Sequence, residues 1–335
     1  MTTTQFPPRT AAVPVGSART PAETAAAWPI GAAVMQFPGT QPDGTPTTHA
    51  PATAWRRVLR EVRAAGFDHV DLTDAWVSPG QLPAERRAEL RELLDEVGLG
   101  VSAVSLTRRS VIDPDPATAD ANLEHTLASV DAAADLGVGV LCVGLHRPLT
   151  PAQEAAHWFW LAESAGDPLD DDAVRSTCVE RLQLVGRRAA ERGVQVSLEM
   201  YEDTYLGDGP SAVALVQDVG LANVGLNPDV GNFVRLHRPV EHWRRTLELT
   251  LPHANYWHVK SYFRDEDPAT GSYATAPAPM ELGVIDYRWA VQTALELGFS
   301  GPFCVEHYGG DGLAVAARNR DYLRHLLAVK LEALA

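Results

Sequence analysis

Residues 171–200 read DDAVRSTCVERLQLVGRRAAERGVQVSLEM, and this stretch decides the fold. It opens as an amphipathic helical run that stops at Gly193, the residue expected just past a helix C-terminus. An apolar run follows, VQVSLEM, which reads as a buried strand ending at Glu199. Working outward, the same alternation recurs from Trp28 to the end of the chain. Strand-like runs stand at 28–37 (WPIGAAVMQF), 68–74 (DHVDLTD), 100–106 (GVSAVSL), 138–146 (VGVLCVGLH), 223–229 (NVGLNPD), 255–259 (NYWHV) and 301–307 (GPFCVEH), making eight with 194–200. Helical runs lie between them at 50–66, 83–98, 116–137, 171–193, 210–220, 239–251 and 286–298, with another at 314–335. Alternating strands and helices imply parallel pairing through helical crossovers. Eight such units predict an α/β fold of the (β/α)8 barrel type, whose functional groups gather on the loops at the C-terminal ends of the strands. A doubly wound open sheet would need a glycine-rich phosphate turn after the first strand, and MQFPGTQPDG at 35–44 does not supply one.

Four strand-like runs terminate in a potential metal ligand: Glu199, Asp229, His258 and Glu306. Taken singly, a carboxylate at a strand terminus is usually a helix cap or a surface charge. Together, these four fall at the ends of the fifth to eighth strands, which a barrel brings around one axis. An oxygen-rich set with one imidazole suits a divalent ion, Mn²⁺ or Mg²⁺ foremost and Co²⁺, Fe²⁺ or Zn²⁺ after them, and does not suit thiolate-seeking metals.

Other ionisable groups belong to the same face. His146 ends the fourth run, ahead of Arg147 and Pro148, and is either a histidine satisfied by a backbone carbonyl or a general acid or base facing the metal. Asp74 ends the second run, and Arg108 and Arg109 follow the third; either arginine is a candidate to steer an anionic oxygen, the other reading being a solvated loop charge. Lys260 and Arg264 follow His258 by two and six residues, and the two-residue offset puts Lys260 on the ligand side of an extended backbone as a candidate substrate contact. The connection at 146–172 is long and holds Trp158, Phe159 and Trp160, either a cap packed on the barrel or a lid suited to a flat aromatic group. A second excursion, 263–286, is a candidate opposite wall.

Composition narrows the function classes. At 335 residues and 45% hydrophobic content, the chain can bury one large core. Residues 1–27, rich in Thr, Pro and Ala, read as an arm over the surface or a seal for the barrel floor, and 28–335 as a single barrel domain. A formal net charge of −15 opposes nucleic-acid binding, which needs a basic footprint. Cys142, Cys178 and Cys304 are widely spaced without a CxxC pair, as expected of reduced thiols in a cytoplasmic protein. No apolar stretch reaches the roughly 20 residues of a membrane span, so no membrane partner is expected.

The order Glu199, Asp229, His258, Glu306, with Arg264 six residues past the histidine, resembles the sugar isomerase and epimerase superfamily built on the xylose-isomerase-type barrel. In the ketose 3-epimerases of that group, the resemblance implies that these four positions bind one divalent ion, usually Mn²⁺, and that the two glutamates move protons on either side of the substrate. The chain departs from them at Asn232, where a histidine is common, and at Tyr205, where a second glutamate is common; Glu202 lies nearby. AAVMQFPGT, FDHVDLTDAWV, SLTRRSVIDP and VGLHRPLTPAQ resemble more closely the catalytic subunit of bacterial C-glycoside deglycosidases. That likeness implies a carbon–carbon lyase acting on 3-oxo-C-glycosides, a smaller partner subunit in a hetero-oligomer, and His146 as the principal acid or base. The chemistry is coherent, because a C-glycosidic bond has no oxygen to protonate, whereas a ketone at C3 acidifies the C2 proton and opens an elimination route. The alternative is an isomerase or ketose 3-epimerase using the same acidified C–H.

Overall fold

A computed structural model describes residues 19–335. Among these residues, eight short parallel strands form one sheet: β1 (Ile30–Ala33), β2 (His69–Thr73), β3 (Gly100–Ser105), β4 (Val140–Val143), β5 (Gln195–Glu199), β6 (Val224–Asn227), β7 (Trp257–Val259) and, after the antiparallel hairpin β8 (Ser261–Asp267) and β9 (Ser272–Ala278), β10 (Phe303–Val305). Their order, β6-β5-β4-β3-β2-β1-β10-β7, is that of a barrel opened at one seam. That seam, between β6 and β7, is spanned by a single parallel bridge from Leu226 to Ala254. The fold is therefore the (β/α)8 barrel that the alternation implies.

Each expected helical run is a helix, from Ala52–Ala64 after β1 to Gly312–Leu334 after β10. Their ends follow local chemistry. Gly98, Gly137 and Gly220 cap three of them in the left-handed conformation, and Asp115, Asp171, Asp208 and Asp311 accept hydrogen bonds from first-turn amides. The main core lies between sheet and helices, where Trp28, Trp55, Trp76 and Trp257 are almost fully buried. Inside the barrel the packing is of smaller groups, Ala33, Ala103, Val140, Cys142 and Cys304, with Tyr256 as the one large ring in that cluster. Small interior residues leave room above them for polar side chains.

Two expectations need adjusting. Of the arm at 1–27, residues 1–18 lie outside the described part, and Pro21–Ala27 is a helix packed on the C-terminal helix. A reciprocal capping box between Thr20 and Glu23, with Pro21 in the first turn, forms it without an apolar period. The excursion at 263–286 is not an irregular wall. Most of it belongs to the β8–β9 hairpin, whose turn is made by Gly271 at φ +67°. Among the described residues, no helix is long and apolar enough to cross a membrane.

Candidate active site

The four strand-end groups converge. Glu199 is the last residue of β5, Asp229 lies two residues past β6, His258 sits inside β7 and Glu306 directly follows β10. All are at least nine-tenths buried. His258 Nδ1 lies 3.1 Å from Glu306 Oε1 and 3.6 Å from Glu199 Oε1. Glu199, Asp229 and His258 each present a donor atom within 4.8 Å of the others. Lys260 Nζ completes the cluster, 2.5 Å from Asp229 Oδ2 and 2.6 Å from Glu306 Oε2.

The open seam helps to place these groups. Where β6 and β7 lack a continuous ladder, the side chain of Asn227 substitutes for it, its Oδ1 accepting from the His258 backbone N–H at 2.7 Å. Asn232, on the short helix Gly231–Val234, donates to Glu199 Oε1 at 3.2 Å and to the Met200 carbonyl at 2.9 Å. Below the cluster, Asp71 of β2 accepts from Tyr256 Oη at 2.5 Å and from Ser105 Oγ at 2.7 Å, and its Oδ2 is 3.9 Å from His258 Nε2. The imidazole is thus held between carboxylates above and below.

The electrostatics follow from burial and pairing. Burial disfavours the charge on Lys260, but Asp229 and Glu306 outweigh it and keep the ammonium charged well above the usual lysine range. Burial likewise opposes ionisation of Glu306, and Lys260 and His258 together hold it well below the usual carboxylate range. Glu199 is brought down to about 2, against burial, by the charged His258 ring 3.6 Å away. Burial opposes a charge on His258, but Glu306 outweighs it and keeps the ring charged above the usual histidine range, so three carboxylates face one ammonium and one imidazolium. An ion bound at the ring nitrogen would replace its proton and leave two negative charges to neutralise. His258 Nδ1 faces two carboxylates and, like Nε2, makes no hydrogen bond. An acceptor nitrogen amid carboxylate oxygens is the environment of a metal ligand, and the donor set fits one hard divalent ion.

In front of the cluster opens a cavity of about 220 Å³. Glu199, His258 and Glu306 form its floor, and Met35, Thr73, Ser105 and Thr107 line one side. His146, Arg108, Tyr201 and Tyr308 line it as well. His146 stacks on Tyr201, with centroids 4.5 Å apart, and its Nδ1 has no hydrogen-bond partner. Burial holds its pKa down to about 4, so the ring is neutral at pH 7 and able to accept a proton. Arg108 adopts a left-handed φ of +54°, and its guanidinium donates to the Arg147 carbonyl at 2.9 Å and to Tyr201 Oη at 3.3 Å.

Three candidate residues lie outside the cavity wall. Arg264 is on the hairpin, where its guanidinium donates to the Val234, Leu236 and Arg238 carbonyls and stacks over Tyr273, so it is not in the cavity wall. Asp74 accepts from the Thr107 amide and hydroxyl and faces Arg109 and His125, acting as a tie between loops. Lys260 lies behind the ligands rather than in the wall. Sequence reading passed over Tyr201, Tyr308 and Arg235. Tyr308, two residues past Glu306, carried a usable signal, since that offset repeats a side in extended chain. Fully buried Arg235 carried none: it pairs with Glu202 at 3.0 and 2.9 Å, and its guanidinium lies 4.8 Å from the Phe159 ring, 5.4 Å from Trp160 and 5.1 Å from Tyr201. Through that arginine, Phe159 and Trp160 of the 146–172 loop are joined to Tyr201 and Tyr308, which line the cavity.

Comparisons with known proteins agree with this architecture. A xylose isomerase-like TIM barrel protein from Mycobacterium smegmatis, solved in complex with magnesium, is 45% identical with a TM-score of 0.87, covering 92% of this chain and 99% of its own. The L-ribulose-5-phosphate 3-epimerase UlaE of Escherichia coli (strain SE11) is 22% identical, over 82% of this chain and 90% of the enzyme. The 3-keto-D-glucoside 4-epimerase YcjR from E. coli shares the fold at 15% identity, with a TM-score of 0.61 and coverage of 89% and 99%. The family model for the xylose isomerase-like TIM barrel matches residues 59–326, from the helix before β2 to the last helix, and the chain belongs to that family.

Proposed function

We propose that this protein is a divalent-metal-dependent sugar isomerase or ketose 3-epimerase. One observation carries the reading: Glu199 and Glu306, from different strands, flank the same imidazole nitrogen and both face a cavity of about 220 Å³, a volume suited to one monosaccharide. Glu199, Asp229, His258 and Glu306 would hold the ion, Mn²⁺ or Mg²⁺ foremost. Once bound, it would polarise neighbouring carbonyl and hydroxyl oxygens of a sugar and acidify the C–H between them.

The remaining work belongs to the protein. Both glutamates are ionised in the resting site, so one would take the proton from carbon, while the other would first take up a proton from a sugar hydroxyl or water and then deliver it to the opposite face. His146, neutral and without a hydrogen-bond partner at Nδ1, accepts or donates a proton at a sugar oxygen. Asn232 fixes Glu199, Tyr201 orients the His146 ring by stacking, and Arg235 packs over Tyr201 from behind. The magnesium complex of the 45% identical mycobacterial protein supports the ion, and the curated epimerases support the reaction class.

A second reading rests on a specific departure. Tyr205 stands where ketose 3-epimerases commonly carry a glutamate, and its hydroxyl is bonded to the Pro168 and Asp171 carbonyls, outside the cavity. A site so altered suits elimination from a 3-oxo-C-glycoside, with His146 as acid or base and a smaller partner subunit in a hetero-oligomer. The epimerase neighbours favour the first reading.

The test is incubation of the purified chain, loaded with Mn²⁺, with free ketoses in D₂O. Deuterium at the carbon beside the carbonyl, together with the epimer or isomer, is expected from this chain alone. No exchange with any ketose, but aglycone release from a 3-oxo-C-glucoside once the smaller subunit is added, would replace the first reading with the second.

A further inference from the structure

We propose that Lys260 is a resident counter-ion of the metal site and not a substrate contact. It lets the carboxylate cluster fold without metal and leaves the site, once the His258 ring gives up its proton to bind the ion, with the two negative charges that one divalent ion neutralises. The inference rests on the metal-binding half of the reading above.

The geometry around Lys260 is built for this task. Its side chain is 2% exposed and lies outside the cavity wall. Its stem runs across Gly231, where an added Cβ would come within 2.4 Å of Lys260 Cγ, so the DVGN turn after β6 needs glycine to admit it. The ammonium stands between Asp229 Oδ2 and Glu306 Oε2, with the Tyr308 ring centroid 5.7 Å away. Tyr287 anchors the backbone, its hydroxyl accepting from the Lys260 N–H at 3.1 Å and donating to the Lys260 carbonyl at 2.7 Å. Composition adds an independent sign. Of 28 basic residues only Lys260 and Lys330 are lysine, so a chain that otherwise uses arginine places a compact point charge here.

Two consequences separate a counter-ion from a substrate contact. Without the ammonium, two buried carboxylates lose their partner, so the metal-free protein suffers most. The like charge that opposes an incoming cation also disappears, so the ion binds more tightly. A substrate contact would change neither.

The experiment compares wild type with Lys260→Met, both stripped with EDTA and titrated with Mn²⁺ by calorimetry and thermal melting. The metal-free variant is expected to melt about 5 °C lower than metal-free wild type. Saturating Mn²⁺ should raise its Tm by more than it raises that of wild type, with Mn²⁺ bound about tenfold more tightly. Unchanged metal-free Tm and Mn²⁺ affinity, with a raised KM for sugar, would overturn the proposal. Gly231→Ala, which pushes the stem aside with the charge retained, should shift both readouts in the same direction by less. If Lys260→Met yields no soluble protein, Gly231→Ala decides: unchanged melting and affinity in it overturn the proposal. Wild type that binds no Mn²⁺ would instead sink the metal-site reading, leaving the metal-free melting comparison to judge Lys260.

Discussion

The two halves of the barrel mouth differ in charge. Strands β5, β6, β7 and β10 end in or beside Glu199, Asp229, His258 and Glu306, whereas the β1 to β4 side presents Met35, Thr73, Ser105 and the neutral ring of His146 to the same cavity. One half concentrates anions around an imidazole and an ammonium; the other offers hydroxyls, a thioether, stacked rings and the guanidinium of Arg108. The difference teaches how one cavity can serve two tasks. On the proposed reading, the anionic half would hold a cation and move protons on carbon, and the other half, with Arg108 as its charged group in the lining, would leave space and hydrogen-bonding groups for the sugar.

The largest effect should come from breaking the charged half. Asp229→Asn removes a ligand that lies behind the cavity, and is expected to weaken Mn²⁺ binding by about 100-fold and turnover by about 1,000-fold or more. Calorimetry and initial rates check both. If turnover survives in metal-free buffer, the contrast between the halves has no catalytic meaning. Next comes the other half: His146→Ala should lower kcat by about 10² to 10⁴ while leaving Mn²⁺ affinity within about threefold. A parallel loss of metal would place His146 functionally on the charged side.

Arg235→Met probes the wall that spans the halves. It leaves Glu202 buried without its partner, a cost of about 3–5 kcal/mol, visible as a fall in Tm of roughly 4–7 °C. A variant that melts with wild type would show that the pair does not hold the wall.

The smallest effect is a pH dependence. The folded pKa of His146 lies below the ordinary 6.5, at about 4, because burial penalises its charged form. Its contribution to stability is therefore complete above pH 6.5 and is lost as pH falls toward 4, by about 3 kcal/mol. Asp167, raised to about 6 by burial, has the opposite slope, since a protonated native carboxyl favours folding at low pH. Comparing denaturant stability of wild type and His146→Gln between pH 7 and pH 4 cancels the common terms; parallel curves would show that His146 is not buried neutral.

The barrel was legible in the chain because period-2 and helical apolar patterns alternate eight times, with glycine and aspartate punctuating the helices. The ligand quartet was legible for a related reason: a parallel barrel puts every strand end on one rim, so order along the chain becomes proximity in space. Side-chain direction past a strand end was not. Arg264 looked like a site residue by spacing, but the β8–β9 hairpin carries it to the carbonyls of Val234, Leu236 and Arg238. The hairpin itself had a visible cue in the alternating burial of SYATAPA after Gly271, masked by its prolines. Lys260 was placed on the correct side by the two-residue rule, but its depth, set by the glycine at 231, has no sequence signature. Arg235 and Glu202 pair through tertiary packing alone.

The central claim is that four residues distant along the chain bind one divalent ion. Anomalous diffraction from crystals soaked in Mn²⁺ tests it most directly. The account predicts one strong peak per chain bounded by Glu199, Asp229, His258 and Glu306; no peak there, or a peak held by other residues, would contradict it.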